Sequence, residues 1–470
     1  MRDGDPLRID LPGGVSAVLA RLTAAGAQAA LVGGCVRDLV LGERPVDWDV
    51  ATSMPPDGVA ELFAGATWEN RFGTVTVRGV GADPDVEVTT YRVETGYRDR
   101  RRPDEVRWGT SLADDLARRD FTINAMAWLP DDAAAGTGRL VDPFGGSSDL
   151  EARLLRAVGD ADERFGEDAL RLVRAVRFAS RFEMHIDAAT EGALRRHSPE
   201  AAGLSGERVR DELLRTLGGD APPSRAFDLM ERLGLLAVLL PELAALRGVP
   251  QSKPLAGDAL DHSLRTADAL PAADPVLRLA GLLHDLGKAT TLADGHFIHH
   301  EKAGERLAGE ALVRLRMSSA EISRVTRLVR HHMFSYGAEW SDAAVRRFVR
   351  RVGRDLLDDL FALRAADDVA SGVQDPPRGG WSELRRRAAE AVKSDPLEAS
   401  QLSVTGDDLV AELGIQPGPL IGQLLGELLE AVLDDPALNS RDRLLELARQ
   451  RASRGDQTHH QANEGPPAGR

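Results

Sequence analysis

At 470 residues the chain is longer than one ordinary hydrophobic core, so several domains are expected. Its 43% hydrophobic and 28% charged residues, its short apolar stretches and an N-terminus unlike a signal peptide argue against a membrane or secreted protein. The net charge of −15 argues against non-specific coating of nucleic acid, although arginines cluster locally. The single cysteine, Cys35, rules out an internal disulfide and suits a reducing cytoplasm.

The first part of the chain alternates strand-like and helical segments. Predicted strands at 29–32, 48–51, 74–78 and 86–90 are interleaved with helical stretches such as 14–25 and 56–64. A last short strand near Leu140 breaks into a Pro/Gly turn, and the pattern is helical from Ser148 onward. We therefore expect an α+β protein with a head at residues 1–147. The helical remainder divides into a neck at 148–255, a histidine-containing domain at 256–373, a last helical domain at 381–451 and a disordered tail at 452–470.

The turn after the first predicted core strand and the next strand carry the strongest functional signal. Asp47 and Asp49 are separated by one residue, so on a strand both carboxylates face the same side, where they can bind Mg²⁺ on a triphosphate. The pair Gly33-Gly34 allows backbone N–H groups to approach phosphate at a helix start, and Arg37 offers a charged fork for the same phosphates. Alone, each feature is an ordinary turn or solvated loop; their order and spacing indicate nucleotidyl transfer.

This stretch resembles the head signature of the DNA polymerase β-like nucleotidyltransferases, in the branch that contains bacterial tRNA CCA-adding enzymes and poly(A) polymerases. The segment from Arg118 to Ala125 resembles the second head motif of that family. Within it, Arg119 is our choice for the triphosphate-binding residue. Glu87 is a third candidate carboxylate if its strand neighbours that of Asp49; otherwise it is an outward-facing strand residue.

A row of charged residues follows in the neck. Asp168, Arg171, Arg174 and Arg177 recur every three residues, which predicts one slowly drifting face of a helix. The alternative is a set of salt bridges on a solvated helix, but within the row only Asp168 compensates the arginines, which favours an anionic ligand. In the resembling family this helix reads the incoming base. The resemblance implies that Asp168 and Arg171 bond the Watson–Crick edge of CTP or ATP, while Arg174 and Arg177 support them or bind phosphate.

Two further segments fit the same family. Residues 90–103 resemble the flexible loop that members use in switching from C to A addition, although an ordinary basic loop would look similar. Ser205 is a plausible N-cap of a helix that resembles the neck motif of the family, with a structural role.

The histidines form a second constellation. His262, His284, Asp285 and Asp367 occur in an order, with Gly-Lys after the His-Asp pair, that resembles the HD phosphohydrolase superfamily. The resemblance implies that these four residues bind a divalent transition metal. His300 and His332 could serve a second metal, but each lies beside another histidine. Phosphatase or phosphodiesterase activity is implied; a structural insertion is the alternative.

Taken together, the resemblance covers about residues 15–450 and implies a Mg²⁺-dependent, cytoplasmic enzyme that adds CCA to tRNA 3′ ends from CTP and ATP, with release of pyrophosphate and a tRNA-binding last domain. No membrane partner is expected. Within the class, the alternatives are CC-only, A-only or poly(A) addition; the neck helix together with the loop at 90–103 favours complete CCA addition. From other classes, the alternatives are an HD-type phosphohydrolase with a nucleotide-binding head and a non-catalytic RNA-binding scaffold.

Overall fold

A computed structural model of the protein describes residues 1–66, 73–79, 81–95, 105–108, 111–251, 253–293, 296–337, 339–372 and 380–461. The chain forms two compact units. Unit 1 comprises Met1–Ala245 and Ala311–Met317, and unit 2 comprises Leu246–Glu310 and the residues from Ser318 onward. The predicted domains do not coincide with these units, because the neck at 148–255 runs past Ala245 and the histidine-containing domain at 256–373 includes Ala311–Met317; their boundaries stay predictions. In the described part of the chain, no helix combines the length and apolar character needed to cross a membrane.

A mixed seven-stranded sheet organises the head. Its strand order is β1-β9-β8-β2-β3-β5-β4; β3 and β5 run parallel, and the other neighbouring pairs are antiparallel. Strands β6 and β7 form a separate antiparallel pair. The strands are β1 (Pro6–Arg8), β2 (Ala29–Val32), β3 (Trp48–Thr52), β4 (Thr74–Val77), β5 (Val86–Thr90), β6 (Arg92–Thr95), β7 (Glu105–Trp108), β8 (Ala127–Asp132) and β9 (Thr137–Val141).

The sheet confirms the α+β class and the strands predicted at 29–32, 48–51, 74–78 and 86–90, each to within one residue. Every residue of β2 is buried, because this strand lies inside the sheet between β3 and β8. The prediction of a loop over residues 90–103 is wrong where β6 forms; residues 96–103 of that segment lie outside the described residues.

Five helices complete the described part of the head, and further helices form the rest of unit 1. The head helices are α1 (Gly13–Ala24), α2 (Gly34–Val40), α3 (Pro56–Leu62), α4 (Leu112–Ala117) and α5 (Gly146–Glu151). The helices that follow are α6 (Ala161–Glu167), α7 (Leu170–Arg181), α8 (Ala188–His197), α9 (Gly206–Leu217), α10 (Pro223–Arg232), α11 (Leu235–Leu239) and α12 (Pro241–Ala244). Between them, β10 (Leu154–Leu155) pairs in parallel with β11 (His185–Ile186).

Two local predictions for the neck are corrected. Asp168 does not lie on the predicted helix, because it adopts an extended conformation after α6 and α7 begins at Leu170. Ser205 is the N-cap of α9 as predicted, but its hydroxyl accepts no hydrogen bond from the first turn. The local hydrophobic pattern of α7 is nevertheless as expected, with Leu172, Val173 and Val176 buried.

Unit 2 is helical apart from a short hairpin of β12 (Leu292–Ala293) and β13 (His296–Phe297). Its helices are α13 (Ala259–Asp268), α14 (Pro275–Leu283), α15 (Lys288–Thr291), α16 (His300–Arg314), α17 (Ser319–His331), α18 (Asp342–Val352), α19 (Leu357–Ser371), α20 (Trp381–Ser394), α21 (Gly406–Leu413), α22 (Pro419–Asp434) and α23 (Arg441–Gln461), of which α16 ends in residues 311–314 that belong to unit 1. The prediction of disorder from residue 452 is wrong as far as Gln461, because α23 continues to that residue; residues 462–470 lie outside the described chain.

Candidate functional site

Carboxylates gather at the start of β3 in unit 1. Asp49 lies on β3 and is aligned with Glu87 of the parallel strand β5, and Asp47 immediately precedes β3. Burial raises the pKa of Asp49 to about 6; Arg119 opposes this shift, whereas the charges of Glu87 and Asp47 add to it. The alignment supports the prediction of Glu87 as a third carboxylate. Hard oxygen donors that repel one another in this way suit a divalent cation such as Mg²⁺, which would relieve the repulsion.

The β2–α2 turn brings the backbone next to these groups. Gly33 has φ = 75°, and a Cβ at this position would collide with the guanidinium of Arg119 and lie 3.8 Å from Asp49 Oδ2. Only glycine therefore suits this position. Gly34 is the first residue of α2, where backbone N–H groups have no partner within the helix. The structure thus brings Gly33, Asp49 and Arg119 together.

Arg119 is partly exposed and remains a good candidate for binding phosphate. Its Nη2 donates to Asp115 Oδ2 at 3.2 Å, and its Nη1 donates to the carbonyl of Asn124 at 3.4 Å. Its Nε is buried and has no hydrogen-bond partner among the described residues. The guanidinium of Arg119 lies near Asp49 on a side chain that is 20% exposed, so it is suited to an anionic ligand.

The prediction that Arg37 binds phosphate is corrected by its surroundings. Arg37 is only 4% exposed, donates to Asp38 Oδ1 at 2.6 and 2.9 Å, and donates to Asn124 Oδ1 at 2.7 Å. Its guanidinium also lies 4.6 Å from the ring centroid of Phe182. Burial lowers the pKa of Arg37, although Asp38 opposes the shift. Arg37 therefore holds the head together and presents no open face to a phosphate.

Asp168 and Arg171 are close in sequence but bind different partners. Asp168 Oδ2 accepts from Arg208 of α9 at 2.7 Å, and its Oδ1 accepts from the backbone of Leu170. Arg171 donates to Glu167 Oε2 at 2.5 Å and to the carbonyls of Arg118 and Arg164. The predicted shortage of negative charge along this row is therefore wrong, because carboxylates outside the row compensate the arginines. The partner of Arg171 could have been found from the sequence, because Glu167 directly precedes Asp168. The partner of Asp168 could not, because nothing in the local pattern points to Arg208.

The last two arginines of the row also have buried carboxylate partners. Arg174 Nε and Nη2 both lie 2.7 Å from Asp120 Oδ2, and Arg177 donates to Glu212 of α9 at 2.6 Å. Burial would raise the pKa of Asp120, but the charge of Arg174 and the hydrogen bonds from Asn124 and Arg174 lower it to about 2. Arg177 is anchored to Glu212, which fits the supporting role that the resemblance leaves open for it, while direct binding of phosphate by Arg177 stays a prediction. Arg174, 30% exposed, joins the second head motif to α7.

A second cluster lies wholly within unit 2 and contains the four predicted histidine-centre ligands. Ligand atoms of His262, His284 and Asp367 lie within 4.8 Å of one another, and so do those of His284, Asp285 and His332. Asp285 joins the two groups: its Oδ2 lies 3.2 Å from His284 Nε2 and 3.6 Å from His262 Nε2. Its Oδ1 lies 3.4 Å from His300 Nε2 and 3.6 Å from His332 Nε2. We call these residues the histidine centre.

Backbone carbonyls orient three of the imidazoles. The Nδ1 atoms of His284, His300 and His332 lie 2.7 to 2.9 Å from the carbonyls of Gly281, Phe297 and Val329. A carbonyl only accepts, so each Nδ1 carries a proton, and Nε2 is the atom through which each of these histidines would bind a metal. This geometry selects His300 and His332 from the two His-His pairs, because the side chain of His299 is 67% exposed and neither it nor His331 contacts the centre.

Two lysines complete the histidine centre. Lys253 Nζ lies 2.7 Å from His262 Nε2 and 3.0 Å from Asp367 Oδ1, and Lys288 Nζ donates to Asp285 Oδ2 at 2.5 Å. Lys288 belongs to the Gly-Lys pair quoted with the motif. Lys253 was missed, because it comes from an irregular segment that carries no recognisable pattern. Its ammonium lies between two predicted metal ligands.

Three family models match separate parts of the chain. The model described as "Poly A polymerase head domain" matches residues 29–156, a model for an RNA-binding region of polymerase A matches residues 183–246, and a tRNA nucleotidyltransferase domain 2 model matches residues 296–448.

Similar proteins span nearly the whole chain. An A-adding tRNA nucleotidyltransferase of Deinococcus radiodurans is 36% identical, covering 86% of this chain and 91% of its own length. A CCA-adding enzyme of Lactiplantibacillus plantarum is 33% identical, covering 92% and 94%. A CC-adding tRNA nucleotidyltransferase of Thermus thermophilus is 36% identical, covering 85% and 88%. The crystal structure of the Bacillus stearothermophilus CCA-adding enzyme with CTP matches 94% of this chain and 98% of that one, with a TM-score of 0.67 and 27% identity.

Proposed function

The chain belongs to the tRNA nucleotidyltransferase family, and we propose that it adds CCA to tRNA 3′ ends from CTP and ATP, without a nucleic-acid template and with release of pyrophosphate. One observation carries this proposal: Asp49, which is aligned with Glu87, lies close to Gly33 and Arg119. Cytoplasmic location, expected from Cys35 and the composition, remains part of the proposal.

The family uses divalent cations, and we propose Mg²⁺ for this head because its donors are carboxylate oxygens. Asp47 and Asp49 would hold the cations, with Glu87 beside Asp49. Bound there, the cations would neutralise the triphosphate and activate the attacking 3′-hydroxyl. The guanidinium of Arg119 would bind the triphosphate, and the N–H groups at Gly34 would contact phosphate oxygens at the start of α2.

For base choice, we propose Asp168 and Arg171, with Arg174 as their support through Asp120. An Asp oxygen can accept from the exocyclic amino group that cytosine and adenine share, and Arg can donate to a ring nitrogen. Both side chains already bond to protein groups, so the base has to share or replace those contacts. We expect Asp168→Ala and Arg171→Ala to relax discrimination against GTP and UTP. Unchanged ratios of incorporation would reject these residues as the readers.

The extent of addition needs a direct test, because the similar proteins include A-adding, CC-adding and CCA-adding enzymes. We propose complete CCA addition, supported by the presence of both the Asp168 segment and the sequence at 90–103. The test uses tRNAs that end before the CCA, after C and after CC, each with CTP, ATP or both. A complete enzyme extends all three to CCA. A product that stops at CC, or extension only of the CC-ended tRNA, would replace this proposal by a partial activity, and long A tails would indicate poly(A) synthesis.

The matched control for this assay is the double variant Asp47→Ala plus Asp49→Ala. It should lose metal-dependent incorporation with all three tRNAs. No incorporation by the wild-type protein would reject nucleotidyl transfer altogether.

For the histidine centre, we propose a divalent transition metal held by His262, His284, Asp285 and Asp367, and a phosphohydrolase activity that uses it. Carbonyls hold the Nδ1 atoms of His284, His300 and His332, so that their Nε2 atoms face the centre. This arrangement favours a metal site over a structural insertion. His300 and His332 are placed to hold a second ion against Asp285 Oδ1.

Metal content after incubation with Mn²⁺, Ni²⁺ or Zn²⁺, and hydrolysis of a phosphomonoester and a phosphodiester, test this second activity. His284→Ala should lose both, while the Asp47→Ala plus Asp49→Ala variant should keep both. Equal metal content in the wild type and in His284→Ala would contradict the proposal.

A further inference from the structure

Asp115 of α4 is a buried carboxylate shared by two consecutive arginines. It is 1% exposed. Its Oδ1 accepts from Arg118 Nε and Nη2 at 3.0 and 2.6 Å, and its Oδ2 accepts from Arg119 Nη2 at 3.2 Å. Burial would raise the pKa of Asp115, but the charges of Arg119 and Arg118 outweigh it and lower the pKa, so this carboxylate is ionised. Asp115 is therefore the fixed anion that anchors the guanidinium of Arg119.

Arg119 lies between two carboxylates with different tasks. On one side is Asp115, to which it is hydrogen-bonded. On the other is Asp49, which is close enough for the positive charge of Arg119 to oppose the burial that raises the pKa of Asp49. Both Asp49 and Arg119 are among the described residues, and no ion pair joins them. The position of a Cβ on Gly33 is close to both groups, so only a short movement separates Arg119 from Asp49.

The consequence follows from charge competition. Without Asp115, the Asp49 carboxylate would become the natural partner of Arg119. A guanidinium paired with Asp49 would neutralise the oxygen atoms that a divalent cation needs, and the same guanidinium would be lost to the triphosphate.

We propose that Asp115 is a positioning residue for nucleotidyl transfer: it holds Arg119 away from Asp49, so that Asp49 stays available to the divalent cation and Arg119 to the triphosphate. This inference rests on the proposed transfer activity. Neither the head motifs nor their resemblance points to Asp115, which lies on α4, before the Arg-Arg-Asp segment.

Asp115→Asn tests the proposal, because it keeps the shape of the side chain and removes its charge. We expect the Mg²⁺ concentration for half-maximal incorporation to rise about 5- to 10-fold and the KM for CTP and ATP to rise, while kcat at saturating Mg²⁺ and nucleotide falls less. Asp115→Glu should restore much of the wild-type Mg²⁺ requirement. Asp114→Asn is the matched control: it removes an exposed charge from the same helix and should change none of these values.

A double-variant cycle separates positioning from packing. In the Arg119→Ala background, where no guanidinium can reach Asp49, adding Asp115→Asn should leave the Mg²⁺ requirement unchanged. Mn²⁺ binding without nucleotide, followed by electron paramagnetic resonance, gives the same comparison independently of activity. An equal shift with and without Arg119, or a wild-type Mg²⁺ requirement in Asp115→Asn, would overturn this inference. Lack of incorporation by the wild type would instead reject the transfer activity on which it rests.

Discussion

The carboxylates of the head and those of the histidine centre lie in opposite electrostatic environments. Burial and neighbouring carboxylates raise the pKa of Asp49 to about 6. Burial would also raise the pKa of Asp285, but the charges of His284 and Lys288 and the hydrogen bonds from histidines hold it well below its usual value. The head therefore carries negative charge that its neighbours do not fully compensate, whereas the histidine centre contains cations of its own. A cation can enter the head directly, but in the histidine centre it has to replace a cationic side chain.

The largest expected effect comes from Asp49→Asn. Since the pKa of Asp49 is higher in the folded protein than its ordinary value of 3.8, this group favours folding below about pH 4 and loses that contribution as the pH rises through about 6. At pH 7 the ionised carboxylate thus costs on the order of 1–3 kcal/mol of folding free energy, which the variant regains. We expect incorporation to fall by roughly 10³-fold or more, while the melting temperature in EDTA rises.

Thermal unfolding with and without Mg²⁺ checks this expectation. Saturating Mg²⁺ should reduce the difference in stability between the wild type and Asp49→Asn, because the cation neutralises the charge of the Asp49 carboxylate, which only the wild type has. Asp47→Asn, which changes an exposed carboxylate, serves as the control and should raise stability less. If Asp49→Asn is less stable than the wild type, the negative charge of Asp49 does not destabilise the head. The electrostatic difference between the head and the histidine centre would then disappear.

Sequence reasoning succeeded in the head where the signal is local. The alternating pattern and the glycine pair specify β2, the turn and β3 within about two dozen residues, so the positions of Gly33, Asp47 and Asp49 follow from the chain itself. The alignment of Glu87 with Asp49 could be stated only as a condition, because it depends on β3 and β5 being neighbours, which local patterning does not determine.

Sequence reasoning failed where burial and distant partners decide the role of a charge. Arg37 looks like a phosphate ligand in a motif, yet it bonds to Asn124, 87 positions away, and the partner of Arg177, Glu212, lies 35 positions away. A periodic row of arginines reveals a face but not the carboxylates packed against it. For the same reason Lys253 was missed, since only the folded chain brings it to His262 and Asp367.

A smaller but more specific effect is expected from Lys253→Met. The ammonium of Lys253 lies between His262 Nε2 and Asp367 Oδ1, so a metal ion bound by this pair would have to displace it. Removing that competing charge should tighten binding of Mn²⁺ or Ni²⁺ about 10-fold in calorimetric titrations. The control is Lys302→Met, an exposed lysine elsewhere in unit 2, which should bind as the wild type does. Weaker binding by Lys253→Met would mean that Lys253 supports the centre rather than occupying the place of the ion.

The pH dependence of nucleotide addition should provide the finest distinction between the two regions. Proton and cation compete for Asp49, so at limiting Mg²⁺ we expect the rate to rise through about pH 6 and to be about one tenth of its plateau at pH 5. Raising Mg²⁺ should move the midpoint to lower pH. Glu87→Gln should move it in the same direction, because the charge of Glu87 helps to raise the pKa of Asp49. Rates measured between pH 5 and 8 at two Mg²⁺ concentrations test this prediction. If the pH midpoint of the rate does not change with Mg²⁺ concentration, the titrating group is not Asp49.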